Sequence, residues 1–236
     1  MRSKGLPVLG SGAVFPFKDE DIMIEDITPE RHWKVIASLD FSSVNDASVV
    51  CYSAYNPDND TYYVFDAVFI TNIEQKNPRY MAQCILDGSY PTIPVVSPHD
   101  GGINSVSPES KAKIMKGMGV NILGKSFYNP TTLTLAFHKG GGIEREPGLT
   151  EMRRMMEEGR FKVCRRVSQF FKEKAQLFYA PSANGGMKCV GNDDMIDAAR
   201  YGVISLRGNR GVSFSEVTRR FNDGFDNPFQ AQEWAY

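Results

Sequence analysis

Three β-prone segments follow one another near the start of the chain, and they constrain the fold more than any other feature of the sequence. Trp33–Asp40, Ser48–Tyr55 and Thr61–Phe69 are mainly apolar, β-branched and aromatic, the composition that favours strands. The turn-forming stretch Asn56–Asp60 leaves a tight connection between the second and third segments. Since tight connections join antiparallel neighbours, the sequence predicts a three-stranded antiparallel meander.

Helical and strand-like segments alternate after the meander. The predicted helices cover residues 76–88, 108–117, 149–158, 168–179 and 192–204, and the predicted short strands cover residues 94–100, 120–123 and 160–164. A meander followed by alternating units predicts an α/β fold in which a mixed central sheet, the antiparallel meander plus parallel strands, is flanked by helices.

The two ends of the chain differ in composition from its middle. Residues 1–30 combine glycine and proline with an acidic cluster, and they are predicted to form a linker or arm. Residues 31–206 are the predicted globular domain. Residues 207–236 carry spaced aromatic residues in a polar background, which predicts a flexible tail or a segment that folds against a partner.

Composition excludes several classes of protein. With 236 residues, 42% hydrophobic and 23% charged, the chain is typical of a globular protein and not of a disordered one. The net charge of -1 provides no global positive field for nucleic acid, so any such site is local. The four cysteines form no C-x-x-C pair, which argues against a thiolate zinc site and favours reduced cysteines of a cytoplasmic protein.

The octet Gly119–Ser126 matches the P-loop pattern G-x-x-x-x-G-K-[ST] at every fixed position. A P-loop needs a strand before its glycine-rich turn and a helix that starts at the Lys-Ser pair. Here the preceding stretch, Ser107–Gly117, has the serine cap, early proline and final glycine of a helix, whereas Val120–Leu123 is β-prone. The sequence therefore predicts a helix end followed by a buried strand, and no nucleotide-binding residue.

Four aspartates fall at the ends of elements that a mixed sheet brings together. Asp40 and Asp100 end two predicted strands, and Asp194 and Asp197 share one face of the last predicted helix. Carboxylates at the rim of a sheet are able to hold two divalent ions, and ligation by oxygen alone suits Mg²⁺ or Mn²⁺. Asp193 is an alternative ligand on the same helix.

Most of these acids also have a structural explanation. Asp193 and Asp194 stand where helix caps stand, and Asp100 precedes two glycines and suits a turn. Asp40 is harder to explain in this way, because it ends an apolar strand. The sequence does not decide which of Asp193, Asp194 and Asp197 reach the metal.

Three segments carry a resemblance to a known family: Leu39–Ser43, Pro98–Gly101 and Asn192–Tyr201. Together they resemble the nuclease domain of the large terminase subunit, the DNA-packaging protein of tailed double-stranded DNA bacteriophages of the P22-like kind. The resemblance covers about residues 30–206. It implies the RNase H-like fold, which RuvC-type resolvases share.

Site residues follow from this resemblance by position. It implies that Asp40, Asp100 and either Asp194 or Asp197 bind the metal ions and are catalytic. Many RNase H-like enzymes have glutamate at the second position, where this chain has Asp100, whose side chain is shorter by one methylene.

The resemblance also implies a function and partners. It implies a magnesium- or manganese-dependent endodeoxyribonuclease that cuts concatemeric double-stranded DNA during viral genome packaging by two-metal-ion hydrolysis. The implied partners are the terminase ATPase domain, the portal and the small terminase subunit, in a motor of the host cytoplasm that is absent from the mature virion. In this interpretation residues 1–30 follow an absent ATPase domain, and the chain is an excised domain that begins at an added Met1.

A local excess of positive charge provides candidate DNA contacts. Between Arg145 and Lys174 there are nine basic residues and five glutamates. The candidates for binding the phosphate backbone are Arg153, Arg154, Arg160, Lys162, Arg165 and Arg166. The alternative is a solvated surface with internal ion pairs. Two rival functions stay open, namely a RuvC-like resolvase or transposase-type nuclease and a non-catalytic module that docks on DNA or the portal.

Overall fold

The structure is a computed structural model that describes residues 12–41, 47–98, 111–130, 144–181 and 187–223. Its strands are β1 (Met23–Ile24), β2 (Lys34–Asp40), β3 (Ser48–Asn56), β4 (Thr61–Ile70), β5 (Val95–Val96), β6 (Phe161–Cys164), β7 (Phe178–Pro181), β8 (Met187–Val190) and β9 (Val212–Ser213). Its helices are α1 (Asp19–Ile22), α2 (Pro78–Leu86), α3 (Lys111–Gly117), α4 (Arg145–Glu157), α5 (Ser168–Gln176), α6 (Asp194–Arg207) and α7 (Phe214–Asp223). No helix within the described ranges is long and apolar enough to cross a membrane.

The predicted meander forms the centre of the sheet. β2, β3 and β4 pair antiparallel in chain order, with Asp40 opposite Val49 and Val49 opposite Phe69. β5 pairs parallel with β2, and β6 pairs parallel with β4. The carboxyl ends of β2, β4, β5 and β6 therefore share one edge of the sheet with the amino end of β3. We call this edge the acidic edge, because Asp40 lies on it.

Both faces of the meander are covered, which explains why β3 is buried along almost its whole length. α6 packs against β2 and β3 on the face that carries Ser53. On the opposite face Tyr52 packs against Phe65 and Tyr90, and Tyr90 in turn packs against Phe214, with ring centroids 5.5 to 6.2 Å apart. The predicted mixed sheet flanked by helices is thus confirmed.

The N-terminal arm predicted over residues 1–30 is wrong for its second half. Val14 and Phe15 are each only 1% exposed, and β1 extends the sheet by pairing parallel with β6. The Nζ atom of Lys174, on α5, donates a hydrogen bond of 2.6 Å to the carbonyl oxygen of Phe17. Several apolar residues of this segment, among them Val14, Phe15 and Ile22, pack into the core, so the described part of the segment belongs to the domain.

The predicted tail from residue 207 is also wrong over part of its length. β9 pairs antiparallel with β2, and Phe214 and Val217 on α7 are 6% and 3% exposed. Burying each such side chain contributes about 1.5–3 kcal/mol. Phe214 thus folds against an apolar surface, as one alternative predicted, but that surface is this domain itself.

The P-loop-like octet has the order of elements that the sequence predicts. α3 ends just before Gly119, whose φ of +103° is a conformation that glycine adopts readily. Beyond it, the amide of Val95 donates to the carbonyl oxygen of Asn121, and the amide of Leu123 donates to that of Val95. The predicted strand is therefore present as a single parallel bridge, and no helix follows within residues 126–130.

One predicted helix is too long. The structure ends α5 at Gln176, and Leu177 has the extended backbone of a strand. Phe178 and Tyr179, assigned to the helix from sequence, instead begin β7, which pairs antiparallel with β8. Phe178 and Tyr179 fit the residue spacing of a helix as well as that of a strand, and their pairing with β8 makes them part of a strand.

Candidate functional site

Asp194 lies on the acidic edge, at the level of Asp40. Its Oδ2 atom accepts a hydrogen bond of 2.9 Å from the amide of Ala47, the residue directly before β3. One turn further along α6, the carbonyl oxygen of Ala198 accepts a 2.7 Å hydrogen bond from the Ser38 hydroxyl. Two residues of strand rise about 6.6 Å and one helical turn rises about 5.4 Å. The helix therefore brings Asp194 level with Asp40 as it runs antiparallel to β2.

Asp40 faces the same helix. Residues two apart in a strand point to the same face of a sheet, and Ser38, two residues before Asp40, bonds directly to α6. Asp40 is half-buried at the end of β2. The structure thus brings together one predicted strand acid and one predicted helix acid.

Asp100 lies outside the described residues, so its place in the site remains a prediction. β5 runs parallel to β2 with Val96 opposite Ser38. Extending this register by two residues brings Pro98 level with Asp40. The chain is therefore directed towards the acidic edge two residues before Asp100 in the sequence.

Asp193 and Asp197 are engaged by arginines. Nε of Arg145 donates to Oδ1 of Asp197 at 2.9 Å, and a terminal nitrogen of Arg145 lies 2.5 Å from Oδ2 of Asp193. Nε of the buried Arg200 also donates to Oδ1 of Asp197, at 3.2 Å. Burial lowers the pKa of Arg145, but the charges of Asp197 and Asp193 raise it overall. The two arginines therefore compensate the charges of these two carboxylates.

The chemistry of Asp40 and Asp194 fits a hard divalent cation, because their donors are carboxylate oxygens and both residues lie at one edge of the sheet. Asp197 fits less well, since its Oδ1 atom already accepts from two guanidinium groups. The described part of the chain contains no group of three or more histidine, cysteine or acidic side chains arranged to hold a metal ion. That part does not include Asp100.

Glu173 is a buried acid beside Asp194 that no sequence motif indicates. Its side chain reaches from α5 to the start of α6, where Oε2 accepts from the amides of Met195 at 2.8 Å and Ile196 at 3.1 Å. Burial raises the pKa of Glu173 to about 7, against the lowering effect of its hydrogen bonds. A polar residue in an amphipathic helix gives no sequence signal for such a role, because the contact joins residues more than twenty positions apart.

A cavity of about 380 Å³ opens next to Asp194 on the acidic edge. Its lining includes Glu173 and Gln169 from α5, and Phe69 and Lys76 from β4 and the segment after it. The candidate site therefore has accessible space beside Asp194, with polar and positively charged groups in the wall of the cavity.

Most of the predicted DNA contacts are engaged within the domain. The pairs are Arg154 with Glu151 and Glu158, Arg160 with Glu158 and Asp60, Lys162 with the carbonyl oxygen of Asp21, Arg165 with Glu25, and Arg166 with Asp26. Arg153 is exposed on α4. The alternative of internal ion pairs thus describes most of this surface.

The six predicted DNA contacts also differ in their position relative to the acidic edge. Arg160 precedes β6 and binds Asp60 in the β3–β4 turn, at the edge opposite Asp40. Arg165 and Arg166 directly follow β6, whose carboxyl end lies at the acidic edge. Exposed ion pairs contribute only about 0–1 kcal/mol, so phosphates are able to compete for these two arginines. DNA binding by any of the six remains a prediction.

No protein-family model matches this sequence. Two curated proteins do match it, the large terminase subunits of Salmonella phage P22 and of Enterobacteria phage LP7, each 29% identical over 212 and 209 residues respectively. The matches cover 87% and 86% of this chain but 38% and 39% of those proteins. The chain therefore spans about two fifths of the length of these relatives.

A solved structure of the P22 large terminase nuclease domain is similar to this chain with a TM-score of 0.71 and 26% sequence identity. The similarity covers 89% of this chain and 99% of that domain. The chain has the fold of a P22-like terminase nuclease domain. The resemblance and the RNase H-like fold class predicted from the sequence are thereby confirmed.

Two more distant structures share this terminase nuclease fold. The large terminase nuclease of thermophilic phage G20c, solved with bound magnesium, has a TM-score of 0.54 at 13% identity and covers 83% of this chain and 98% of its own. The nuclease domain of bacteriophage SPP1, solved with bound manganese, has a TM-score of 0.50 at 18% identity and covers 76% and 93%. At these identities the likeness concerns the fold alone.

Proposed function

We propose that this chain is the metal-dependent endonuclease domain of a viral terminase and that it cuts concatemeric double-stranded DNA during genome packaging. The observation that supports this most is the placement of Asp40 and Asp194 at one level of one sheet edge, within a terminase nuclease fold. Neighbours with this fold were solved with magnesium or manganese, which supports a divalent ion as cofactor.

Asp40, Asp194 and, by its predicted place, Asp100 would hold Mg²⁺ or Mn²⁺. Two such ions, when bound, activate water and stabilise the charge that develops in phosphodiester hydrolysis. The chain itself contributes rigidity, because Asp40 ends a central strand and the Ala47 amide orients the Asp194 carboxylate. We assign Asp193 and Asp197 to charge pairing with Arg145, which leaves Asp194 as the helix ligand.

The wider setting is part of the same proposal. The matched relatives are named large terminase subunits, and this chain spans about two fifths of their length. We therefore propose that the domain works with a terminase ATPase domain, the portal and the small terminase subunit in the host cytoplasm. Residues 31–206 hold the nuclease, together with the parts of both flanking segments that the structure packs against it.

Cleavage of supercoiled plasmid tests the proposal. The wild type is compared in Mg²⁺, in Mn²⁺ and in EDTA with Asp40→Asn and Asp194→Asn. Asp58→Asn is the matched control, because Asp58 is an exposed aspartate of the β3–β4 turn at the opposite edge. We expect metal-dependent cutting by the wild type and by the control, and none by the two site variants.

Other outcomes favour the rival functions. A strong preference for four-way junctions over linear duplex would favour a resolvase. Metal-independent DNA binding with no cleavage in any ion would favour a non-catalytic docking module and would overturn the proposal. Cutting that persists in both site variants would place the reaction elsewhere.

A further inference from the structure

We propose that Glu173 is a positioning residue for Asp194, acting as the N-terminal cap of α6 from a neighbouring helix. The inference rests on the proposed function, since it concerns a candidate metal ligand. It deepens that function by adding a residue from α5 to the machinery of the site. Glu173 is 1% exposed and lies in the wall of the cavity beside Asp194.

The start of α6 lacks the cap that its sequence offers. Asp193 occupies the N-cap position but makes no side-chain hydrogen bond to the helix, because its carboxylate pairs with Arg145. The amides of the second and third helical residues normally bond to the N-cap side chain. Here these residues are Met195 and Ile196, and Glu173 accepts from both. A carboxylate at this place also interacts favourably with the helix dipole.

These contacts fix the backbone on both sides of Asp194. Arg145 holds the residue before it, Glu173 holds the two residues after it, and the Ala47 amide donates to its own Oδ2 atom. Removing the Glu173 carboxylate would free two buried amides and allow the first turn of α6 to fray. The direction of the Asp194 carboxylate depends on that turn.

Glu173 is suited to orient a ligand and not to be one. Its Oε2 atom accepts from two backbone amides, and its Oε1 atom accepts from Nε2 of Gln169 at 3.1 Å. The helix that carries it is itself anchored, because the adjacent Lys174 is buried and bonds to the carbonyl oxygen of Phe17 and to Asp19. Groups behind a metal ligand typically change metal affinity or activity about 10–100-fold when they are removed.

The test measures Mn²⁺ binding to the metal-free 236-residue chain by electron paramagnetic resonance, alongside plasmid cleavage. Glu173→Gln keeps an oxygen that accepts from the amides of Met195 and Ile196. The side-chain amide of Gln169 is able to flip, so that its oxygen accepts from the NH₂ group that the substitution introduces. We expect this variant to bind Mn²⁺ within about threefold of the wild type. Glu173→Ala loses the cap, so we expect its Mn²⁺ affinity to fall about tenfold or more. Its kcat should fall while its KM for DNA is retained.

Glu173→Asp covers the case in which the alanine variant does not fold. It keeps the charge but shortens the reach by one methylene, so we expect it to bind Mn²⁺ more weakly than Glu173→Gln does. Wild-type Mn²⁺ affinity in a folded Glu173→Ala or Glu173→Asp variant would overturn the inference. Asp194→Asn distinguishes a failure of the role proposed for Glu173 from a failure of the proposed metal site. If Asp194→Asn also binds Mn²⁺ like the wild type, the proposed metal site itself is wrong. If Asp194→Asn alone loses Mn²⁺, only the role of Glu173 fails.

Discussion

The hydroxyl of Ser38 donates a 2.7 Å hydrogen bond to the carbonyl oxygen of Ala198, and this contact sets the height of α6 against the sheet. Ser38 is fully buried at the centre of β2, two residues before Asp40. Ala198 is one helical turn after Asp194. The contact therefore determines the height of Asp194 relative to Asp40, although neither aspartate takes part in it.

Removing this hydroxyl should cost stability and also function. We expect Ser38→Ala to lower the free energy of unfolding by about 1 kcal/mol, the net value of a typical buried hydrogen bond. Urea denaturation gives the stability, and Mn²⁺ titration reports the site. Ser89→Ala, at an exposed position, is the control and should change stability by less than about 0.5 kcal/mol. Equal effects of the two variants would contradict the prediction.

Gly202 permits the close approach of α6 to the sheet. A Cβ atom at this position would lie 2.6 Å from the Ser53 hydroxyl oxygen and 2.8 Å from that of Ser38. We expect Gly202→Ala to destabilise the fold by about 1–3 kcal/mol, because overpacking forces the helix away from the strands. Gly124→Ala is the matched control, since a Cβ atom there meets no heavy atom within 4 Å. A melting temperature of Gly124→Ala below that of Gly202→Ala would contradict this prediction.

Asp194 and Asp197 should respond differently to the same change. Asp194→Asn should abolish Mn²⁺-dependent cleavage, whereas Asp197→Asn should bind Mn²⁺ within about threefold of the wild type. The stability of Asp197→Asn should fall by about 1–3 kcal/mol, since Arg145 and the buried Arg200 then lose a charged partner. Isothermal titration with Mn²⁺ and urea denaturation measure the two effects. Equal loss of Mn²⁺ binding in both variants would restore Asp197 as a ligand.

Glu173 should make stability depend on pH. Burial raises its pKa from 4.5 to about 7 in the folded chain. Between these values the folded chain holds a proton that the unfolded chain has lost, so the free energy of unfolding falls as the pH rises. We expect the wild type to lose on the order of 3 kcal/mol relative to Glu173→Gln between about pH 4.5 and 7. Urea denaturation in EDTA measures this, and parallel pH profiles of the two proteins would count against it.

Local pattern was sufficient to predict the central meander and the acidic end of β2. β2, β3 and β4 end within one residue of their predicted limits, because strand propensity and the Asn56–Asp60 turn act over a few neighbouring residues. The helix that bears Asp194 was predicted over residues 192–204 and spans Asp194–Arg207. The P-loop match was rejected for a local reason too, since the order of helix and strand around Gly119–Ser126 is visible in the sequence.

Contacts between distant segments were beyond the reach of such patterns. Phe15 and Phe214 stand in polar, turn-rich surroundings, and only the apolar surface of the folded domain explains their burial. The length of α5 was overestimated, because the strand that follows it bonds to a distant segment: the amide of Tyr179 donates to the carbonyl oxygen of Gly12. Arg165 and Arg166 were predicted to contact DNA, and their acidic partners Glu25 and Asp26 lie far away in the chain.

The sequence by itself determined the meander, the helix with three aspartates and the resemblance that these carry, because each depends on residues that are close along the chain. The tertiary structure decided which acids stand together. It brought Asp194 to the edge that holds Asp40, turned Asp193 and Asp197 towards Arg145, and capped α6 with Glu173. Such a choice depends on the height at which a helix packs on a sheet, and Ser38, Ala198 and Gly202 set that height through contacts that no local pattern records.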